Sequence, residues 1–242
     1  MWLDLFRKPI PEDFLQGFCD MHSHLLPGVD DGFPSLEMTL DGLAFLAKKG
    51  VRKVKMTPHF MKDYQGNTRA AIETKYQELL CEIANSVDVE LTLGGEYMLD
   101  SCFPDRMEEG FLTLDCEETL VLCETSYMNQ DPNANQMLYE LMLKGYQPVI
   151  AHPERYAYAT PRLYKRYKEK DYLFQLNLLS LAEAYGKEAR IKALWMLKEG
   201  MYDFVGSDLH RLENVSEMID HIKLSTKEID QLLQLKENNQ KL

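Results

Sequence analysis

Short apolar runs alternate with longer stretches of helical spacing along the chain, and this alternation repeats about seven times. Residues 18–22, 51–56, 89–93, 119–123, 148–151, 172–177 and 203–206 read as strands, being short, apolar and bounded by Gly, Pro or polar residues. Between them, Ser35 is expected to cap a helix carrying Leu36, Leu40, Leu43, Ala44 and Ala47, which Gly50 stops. Asn67 is expected to cap a second helix with Ile72, Tyr76, Leu79, Leu80 and Ile83 on one side. Further helices read at 135–144, 161–170 and 181–198, the last with Gly186 inside it, and amphipathic helices fill the C-terminus. Strands joined by helices run parallel, because each crossover returns the chain to the same end of the sheet. The reading is therefore α/β: one closed or nearly closed barrel over residues 18–242, with residues 1–17 as an N-terminal extension. A doubly wound open sheet is the alternative.

The residues just past each strand decide the chemistry, since active sites in such folds lie where strands end. His22 and His24 come after the first strand, His59 after the second, Glu96 after the third and Glu124 after the fourth. His152 comes after the fifth, and Asp208 and His210 after the last. Five of the six histidines thus fall at strand ends; the sixth, His221, lies in a helical pattern. His22-Ser-His24 puts two imidazoles on one side of a strand, and Asp208-Leu-His210 repeats the arrangement with a carboxylate. Imidazole with carboxylate suits Zn, Mn or Fe, whereas thiolates would suit structural Zn. So many ligands exceed the needs of one ion, and a carboxylate such as Glu96 can bridge two.

The composition narrows the partners. Acids outnumber Lys and Arg by 39 to 27, giving a net charge of -12, which argues against broad binding to nucleic acid or anionic lipid. No apolar run approaches the ~20 residues that span a bilayer, and the opening MWLDLFRKPIPEDF has no signal-like apolar run. Five cysteines without a CxxC read as mostly buried thiols of a cytoplasmic protein. None is followed by Arg at the Cys-x5-Arg spacing of cysteine phosphatases.

The motif Asp20-Met-His22-Ser-His24-Leu-Leu-Pro-Gly-Val-Asp30-Asp31-Gly32 resembles the opening motif of the PHP (polymerase and histidinol phosphatase) superfamily. Thr57-Pro58-His59, Gly94-Gly95-Glu96-Tyr97, Glu124, His152-Pro153-Glu154-Arg155-Tyr156 and Gly206-Ser207-Asp208-Leu209-His210 occur in that family's order. The fuller match is to its bacterial tyrosine-protein phosphatase branch, typified by the CpsB, CapC and YwqE proteins of capsule and exopolysaccharide loci. The resemblance implies a distorted (β/α)7 TIM-like barrel with three divalent ions, usually Mn, with Fe, Co or Zn as other candidates. It implies that His22, His24 and Asp208 hold one ion with Glu96 bridging. Glu124 and His152 would serve a neighbouring ion, and Asp31, His59 and His210 the third. Asp31 comes from this resemblance alone, because it lies in a loop. Arg155 looks like the phosphate clamp and Arg211 like a second candidate. Tyr97 and Tyr156 flank ligand motifs and are expected to line the mouth for an aromatic ring, although barrel packing accounts for them equally well.

The expected function is hydrolysis of phosphotyrosine in proteins, with a bacterial tyrosine kinase of the polysaccharide-export system as partner and no membrane insertion. Histidinol-phosphate hydrolysis is the nearest rival. A PHP nuclease is disfavoured by the acidity, and a metal-retaining protein that docks on a kinase is the non-enzyme alternative. Three divalent ions would halve the formal net charge of -12, leaving a positive barrel mouth on an acidic protein.

Overall fold

The computed structural model describes residues 7–83 and 87–242. Its strands and helices are β1 (Lys8–Pro9), β2 (Cys19–Ser23), α1 (Leu36–Lys48), β3 (Lys53–Met56), β4 (His59–Phe60), α2 (Arg69–Ile83), β5 (Glu90–Leu93), β6 (Glu96–Met98), α3 (Phe103–Glu109), β7 (Leu120–Glu124), α4 (Ala134–Leu143), β8 (Gln147–Ala151), α5 (Pro161–Lys168), β9 (Leu173–Asn177), α6 (Lys187–Lys198), β10 (Phe204–Gly206), α7 (Val215–Asp220), β11 (Lys223–Leu224) and α8 (Thr226–Asn239). β1 and β11 form a small antiparallel pair. All other pairings are parallel, in sheets ordered β2-β3-β5 and β10-β9-β8-β7-β6-β4.

These two sheets make one ring of seven segments. β3 and β4 are halves of a stretch broken at Thr57-Pro58, and β5 and β6 are halves of one broken at Gly94-Gly95. The register carries across both breaks, Met56 facing Leu93 before them and His59 facing Glu96 after them. Proline lacks a ladder donor and glycine adds backbone freedom, so these dipeptides loosen the ladder where it approaches the site.

Between β10 and β2 the ladder is reduced to a single bridge, Ser23 to Leu209. Side chains take its place. The Asn239 amide, at the end of α8, donates to Cys19 O at 2.7 Å and Val205 O at 2.5 Å and accepts from Val205 N–H at 3.2 Å. The Asp20 carboxylate accepts from the Ser207 N–H at 2.9 Å and its hydroxyl at 2.5 Å. Asn239→Leu is expected to cost about 3–5 kcal/mol, since three buried backbone groups lose their partners. Urea unfolding reads this, and a loss below ~1 kcal/mol would show that the seam is held otherwise.

The main core lies between the ring and its helices, where Val54, Met56, Val121, Ile150, Phe174, Leu176 and Val205 meet helical residues such as Leu43, Leu138 and Met196. A second cluster (Met21, Leu114, Leu122, Val149, Ala151, Phe204 and Leu242) fills the barrel interior. In β2, three residues oppose two of β3, a bulge that lets Met21 join this interior cluster while its neighbour His22 also faces inward.

Several expectations change in detail. Asn67 does not cap α2; the Thr68 hydroxyl accepts from the Ala71 N–H, while Asn67 is buried and donates to Val29 O and His59 O. Gly186 does not lie within a helix. Its φ of +90° lets it precede α6, and a 3-10 turn at Leu178–Ala182 replaces the first part of the expected helix. The helix α3 was not anticipated, being only two turns long. The thiols are not mostly buried: Cys19 and Cys123 are buried, Cys81 and Cys116 exposed and Cys102 between, all five free. Of the expected extension, residues 1–6 lie outside the described residues, and Ile10, Phe14 and Leu15 join the main core.

Candidate metal centre and phosphate site

Every expected ligand stands at or just beyond the C-terminal end of a parallel segment, except Asp31, which the loop after β2 brings over the same end. Two backbone features set the positions. His152 and Asp208 adopt positive φ, +32° and +52°, a conformation that costs a non-glycine residue on the order of 1–3 kcal/mol. Each is pinned by its own N–H, His152 to Gln175 Oε1 at 3.1 Å and Asp208 to His22 O at 2.8 Å. Gly32 passes so close to His24 that a Cβ there would stand 2.2 Å from the His24 carbonyl oxygen, so only glycine fits this turn.

The nine side chains His22, His24, Asp31, His59, Glu96, Glu124, His152, Asp208 and His210 converge. Their donor atoms fall into three overlapping groups: His22, Glu96, His152 and Asp208; His24, Asp31, His59 and His210; and His59, Glu96 and Glu124. One set of four is especially regular. His22 Nε2 and His24 Nε2 lie 3.2 Å apart, and each lies 3.2–3.3 Å from Glu96 Oε2 and Asp208 Oδ1. Donor atoms 3.2–3.3 Å apart have the spacing of two ligands of one ion, each ~2.0 Å from it. Glu96 reaches in several directions, with Oε1 3.0 Å from His152 Nε2 and Oε2 3.1 Å from His59 Nδ1. Glu124 Oε1 lies 3.0 Å from that same His59 nitrogen. Asp31 Oδ1 is 3.4 Å from both His59 Nε2 and His210 Nε2.

Supporting residues fix the imidazole tautomers. His24 donates from Nδ1 to Asp30 Oδ2 at 2.8 Å, His22 from Nδ1 to Gln175 Oε1 at 3.1 Å, and His210 from Nδ1 to the Asp208 carbonyl at 2.9 Å. Each ring thereby presents a free Nε2 lone pair to the cluster, the arrangement that metal-binding histidines need. Asp30 and Gln175 were not singled out in the sequence. Asp30 lay in plain view beside Asp31, but only contact with His24 tells the two carboxylates apart. Asp30→Asn is expected to weaken metal affinity 10–100-fold. Competition against a chromogenic chelator reads this; unchanged affinity would mean that Asp30 serves the loop alone.

The donor set fits a divalent metal on two grounds. Glu96 Oε2, Asp208 Oδ1, Glu124 Oε1 and His59 Nδ1 are sealed from solvent without a hydrogen-bond partner, an arrangement costly for ordinary polar groups. The cluster also demands positive charge. Burial raises the Glu96 and Asp208 carboxyls, yet the facing histidines outweigh it and hold both well below the usual range. Burial likewise opposes protonation of His24 and His59, but Asp30 and Asp208, and Glu124 and Glu96, keep them well above the usual imidazole value.

Arg155 stands beside this cluster. Its Nη1 donates to Asp208 Oδ2 at 2.5 Å, and its guanidinium lies between two rings, 4.4 Å from the Tyr127 centroid and 3.9 Å from that of Tyr185. Burial works against its charge, but Asp208 and the two tyrosines raise its pKa further. It is not paired with Glu154, which is buried and bound to Asn177 N–H, Ser180 and Tyr202. Asn177 donates to Asp208 Oδ2 and to the Tyr185 hydroxyl, joining the clamp to the cluster.

A cavity of about 530 Å3 opens over the site, lined among others by His59, Tyr127, Arg155, Tyr185, His210 and the exposed Arg211. Tyr97 and Tyr156 do not line it. Tyr97 is 1% exposed, stacks on Phe60 and accepts from the Leu112 N–H; Tyr156 is 1% exposed and donates to Ala151 O. Tyr97 follows Glu96 in β6 and so points to the opposite face, into the main core, while Tyr156 follows the 3-10 turn Pro153–Arg155 and packs into that core as well. Tyr127 and Tyr185, which carry no motif signal, hold the positions expected of them.

Fold and site together define a parallel α/β ring that gathers nine side chains able to hold metal ions, with Arg155 beside them, at the C-terminal ends of its strands. The family model described as "Capsular polysaccharide synthesis, CpsB/CapC" matches residues 18–235, and the chain belongs to that family. Tyrosine-protein phosphatase YwqE of Bacillus subtilis is 29% identical over 198 residues, covering 80% of this chain and 78% of that protein. Tyrosine-protein phosphatase CpsB of Streptococcus pneumoniae is 28% identical over 207 residues, covering 81% and 84%. Among solved structures, work on B. subtilis YwqE and S. pneumoniae CpsB, described as unique metal-dependent tyrosine phosphatases, provides a chain with a TM-score of 0.74 and 26% identity, covering 89% of this chain and 85% of that one.

Proposed function

We propose that this protein is a metal-dependent phosphatase that hydrolyses phosphotyrosine in proteins, using the nine converging side chains to hold three divalent ions, with Mn the favoured metal. The carrying observation is the four-donor set of His22, His24, Glu96 and Asp208 directly beside the aromatic-held guanidinium of Arg155. Divalent ions, when bound, supply the Lewis acidity that makes water a nucleophile near neutral pH.

The chain's own groups do the rest. Arg155 offers N–H groups to two phosphoryl oxygens, and its stacked plane fixes their direction. Arg211, exposed on the cavity wall, adds a second positive charge for the incoming dianion. Asp30, Gln175 and the Asp208 carbonyl hold the imidazole rings still, so the electrostatic field at the phosphorus is set before substrate arrives. The leaving phenol has a pKa near ~10, and departs with less proton help than an alkyl alcohol needs. Tyr127 and Tyr185 line the cavity, and a substrate ring packs beside them.

The partner that this reading favours is a bacterial tyrosine kinase of a polysaccharide-export system, met in the cytoplasm. Membership of a family described by capsular polysaccharide synthesis supports it. Among the described residues no helix is long and apolar enough to cross a membrane. Turnover of a phosphotyrosine peptide against histidinol phosphate tests the substrate class. A clear preference for the peptide is expected; a preference for histidinol phosphate overturns the reading, and inactivity of the Mn-loaded protein on every ester would favour a docking role.

A further inference from the structure

The nine converging side chains are not equally enclosed. Those of His22, His24, Glu96, Glu124, His152 and Asp208 are at most 1% exposed, whereas those of His59, His210 and Asp31 are 7%, 24% and 57% exposed. The last three also line the cavity over the site. Asp31 Oδ1 joins them, 3.4 Å from both His59 Nε2 and His210 Nε2. An outer group of ligands thus faces the cavity, and its one carboxylate comes from a loop and not from a strand end.

That loop is tied down at two levels. Its base is closed by main-chain bonds, Gly28 N–H to Phe33 O at 2.8 Å and Phe33 N–H to His24 O at 3.1 Å. Its tip is tied to His59. β4 is the end strand of its sheet, and side chains meet the main-chain groups of His59 in place of a further strand. Asp30 Oδ2 accepts from the His59 N–H at 3.0 Å. The side-chain amide of Asn67 donates to the His59 carbonyl at 2.8 Å and to the Val29 carbonyl at 3.0 Å. Asn67 is buried, and its own N–H donates to Tyr64 O at 2.9 Å, which fixes where the amide stands. One NH2 group therefore joins the residue two before Asp31 to the residue that carries the facing imidazole. Both partners are carbonyls, so only a donor can fill this place.

We propose that Asn67 is a positioning residue for the outer metal ion, the one that Asp31, His59 and His210 would hold, and that this ion is the weakest bound of the set. The assignment rests on the proposed metal centre. Through its two carbonyl contacts Asn67 fixes how far the Asp31 loop stands from β4, and so the spacing of Asp31 Oδ1 from His59 Nε2. At 3.4 Å one ion reaches both donors at the usual ~2.1 Å, whereas a loop free to drift leaves the ion one ligand short. The deeper ligands stand on strand ends and do not depend on this tie. The outer group binds more weakly because water screens the attraction of an exposed carboxylate for a cation.

Mn titration of chelator-stripped protein tests this, with the free ion read by electron paramagnetic resonance so that binding is followed without turnover. Circular dichroism shows that each variant is folded at the temperature used. In wild type the last equivalent should bind more weakly than those before it. Asn67→Leu removes both donors at nearly constant size, and should weaken that last equivalent about 10–100-fold while the tighter ones hold. Asn67→Ser, a milder change that keeps a hydroxyl donor, should act on the same equivalent. Asp31→Asn should weaken it too, and adding Asn67→Leu should then cost less than the product of the two single effects, since both act through one ligand. A purely structural role would lower the melting temperature without singling out any equivalent. Equal weakening of every equivalent, no weakening at all, or a double variant showing the full product would therefore overturn the proposal. Uptake of only two equivalents by wild type would correct the ion count, and Asn67 would still be judged on the weaker of the two. No uptake by wild type would overturn both the metal centre and the role of Asn67.

Discussion

Glu96→Gln should leave a folded barrel with its turnover lowered by at least ~10^3-fold, or ~4 kcal/mol of barrier. The substitution keeps size and shape, so the loss is one of charge. Glu96 meets the rest of the cluster with both oxygens in different directions, Oε1 toward His152 and Oε2 toward His22, His24 and His59. An amide cannot present two anionic lone-pair faces, and its NH2 group would point a donor at a lone pair or an ion. Metal content should fall together with activity. Full metal content with full turnover in Glu96→Gln would remove Glu96 from the centre of the mechanism.

Arg155→Ala should lower kcat/KM by about 10^2–10^3-fold while metal content holds, because the clamp contributes charge and direction without being a ligand. Asn177 still donates to Asp208 Oδ2 in its absence, at 2.9 Å, so the carboxylate stays oriented. Arg155→Lys should recover no more than about tenfold. A lysine keeps the charge but loses both the paired donors and the flat surface that Tyr127 and Tyr185 hold. Recovery of full activity by lysine would mean that charge alone suffices there.

The barrel was legible in the sequence because its two periodicities differ so plainly: short apolar runs set against helical spacing. The seven segments emerged from that contrast, although β4 and β6 are visible only as continuations of β3 and β5 past Thr57-Pro58 and Gly94-Gly95. The convergence of His22, His24, His59, Glu96, Glu124, His152, Asp208 and His210 was legible because parallel strands deliver their ends to one face. The features that escaped depend on contacts distant in sequence. Asp30 and Gln175 stand out only through the imidazole nitrogens they touch. Tyr127 and Tyr185 matter only because Arg155 lies between them, whereas Tyr97 and Tyr156 sit next to ligands in sequence and point the other way. Asn239, which stands in for a missing ladder, lies more than 200 residues from the strand whose carbonyl it holds.

The central claim, that the strand-end cluster works through bound metal on phosphotyrosine, is tested most directly by stepwise reloading. Protein stripped by a chelator is titrated with Mn while bound metal and turnover of a phosphotyrosine peptide are measured on the same samples. Turnover should be absent in the stripped protein, rise with metal, and level off near three equivalents, with Glu96→Gln failing to respond. Hydrolysis of the peptide by the stripped protein at an undiminished rate would contradict the account.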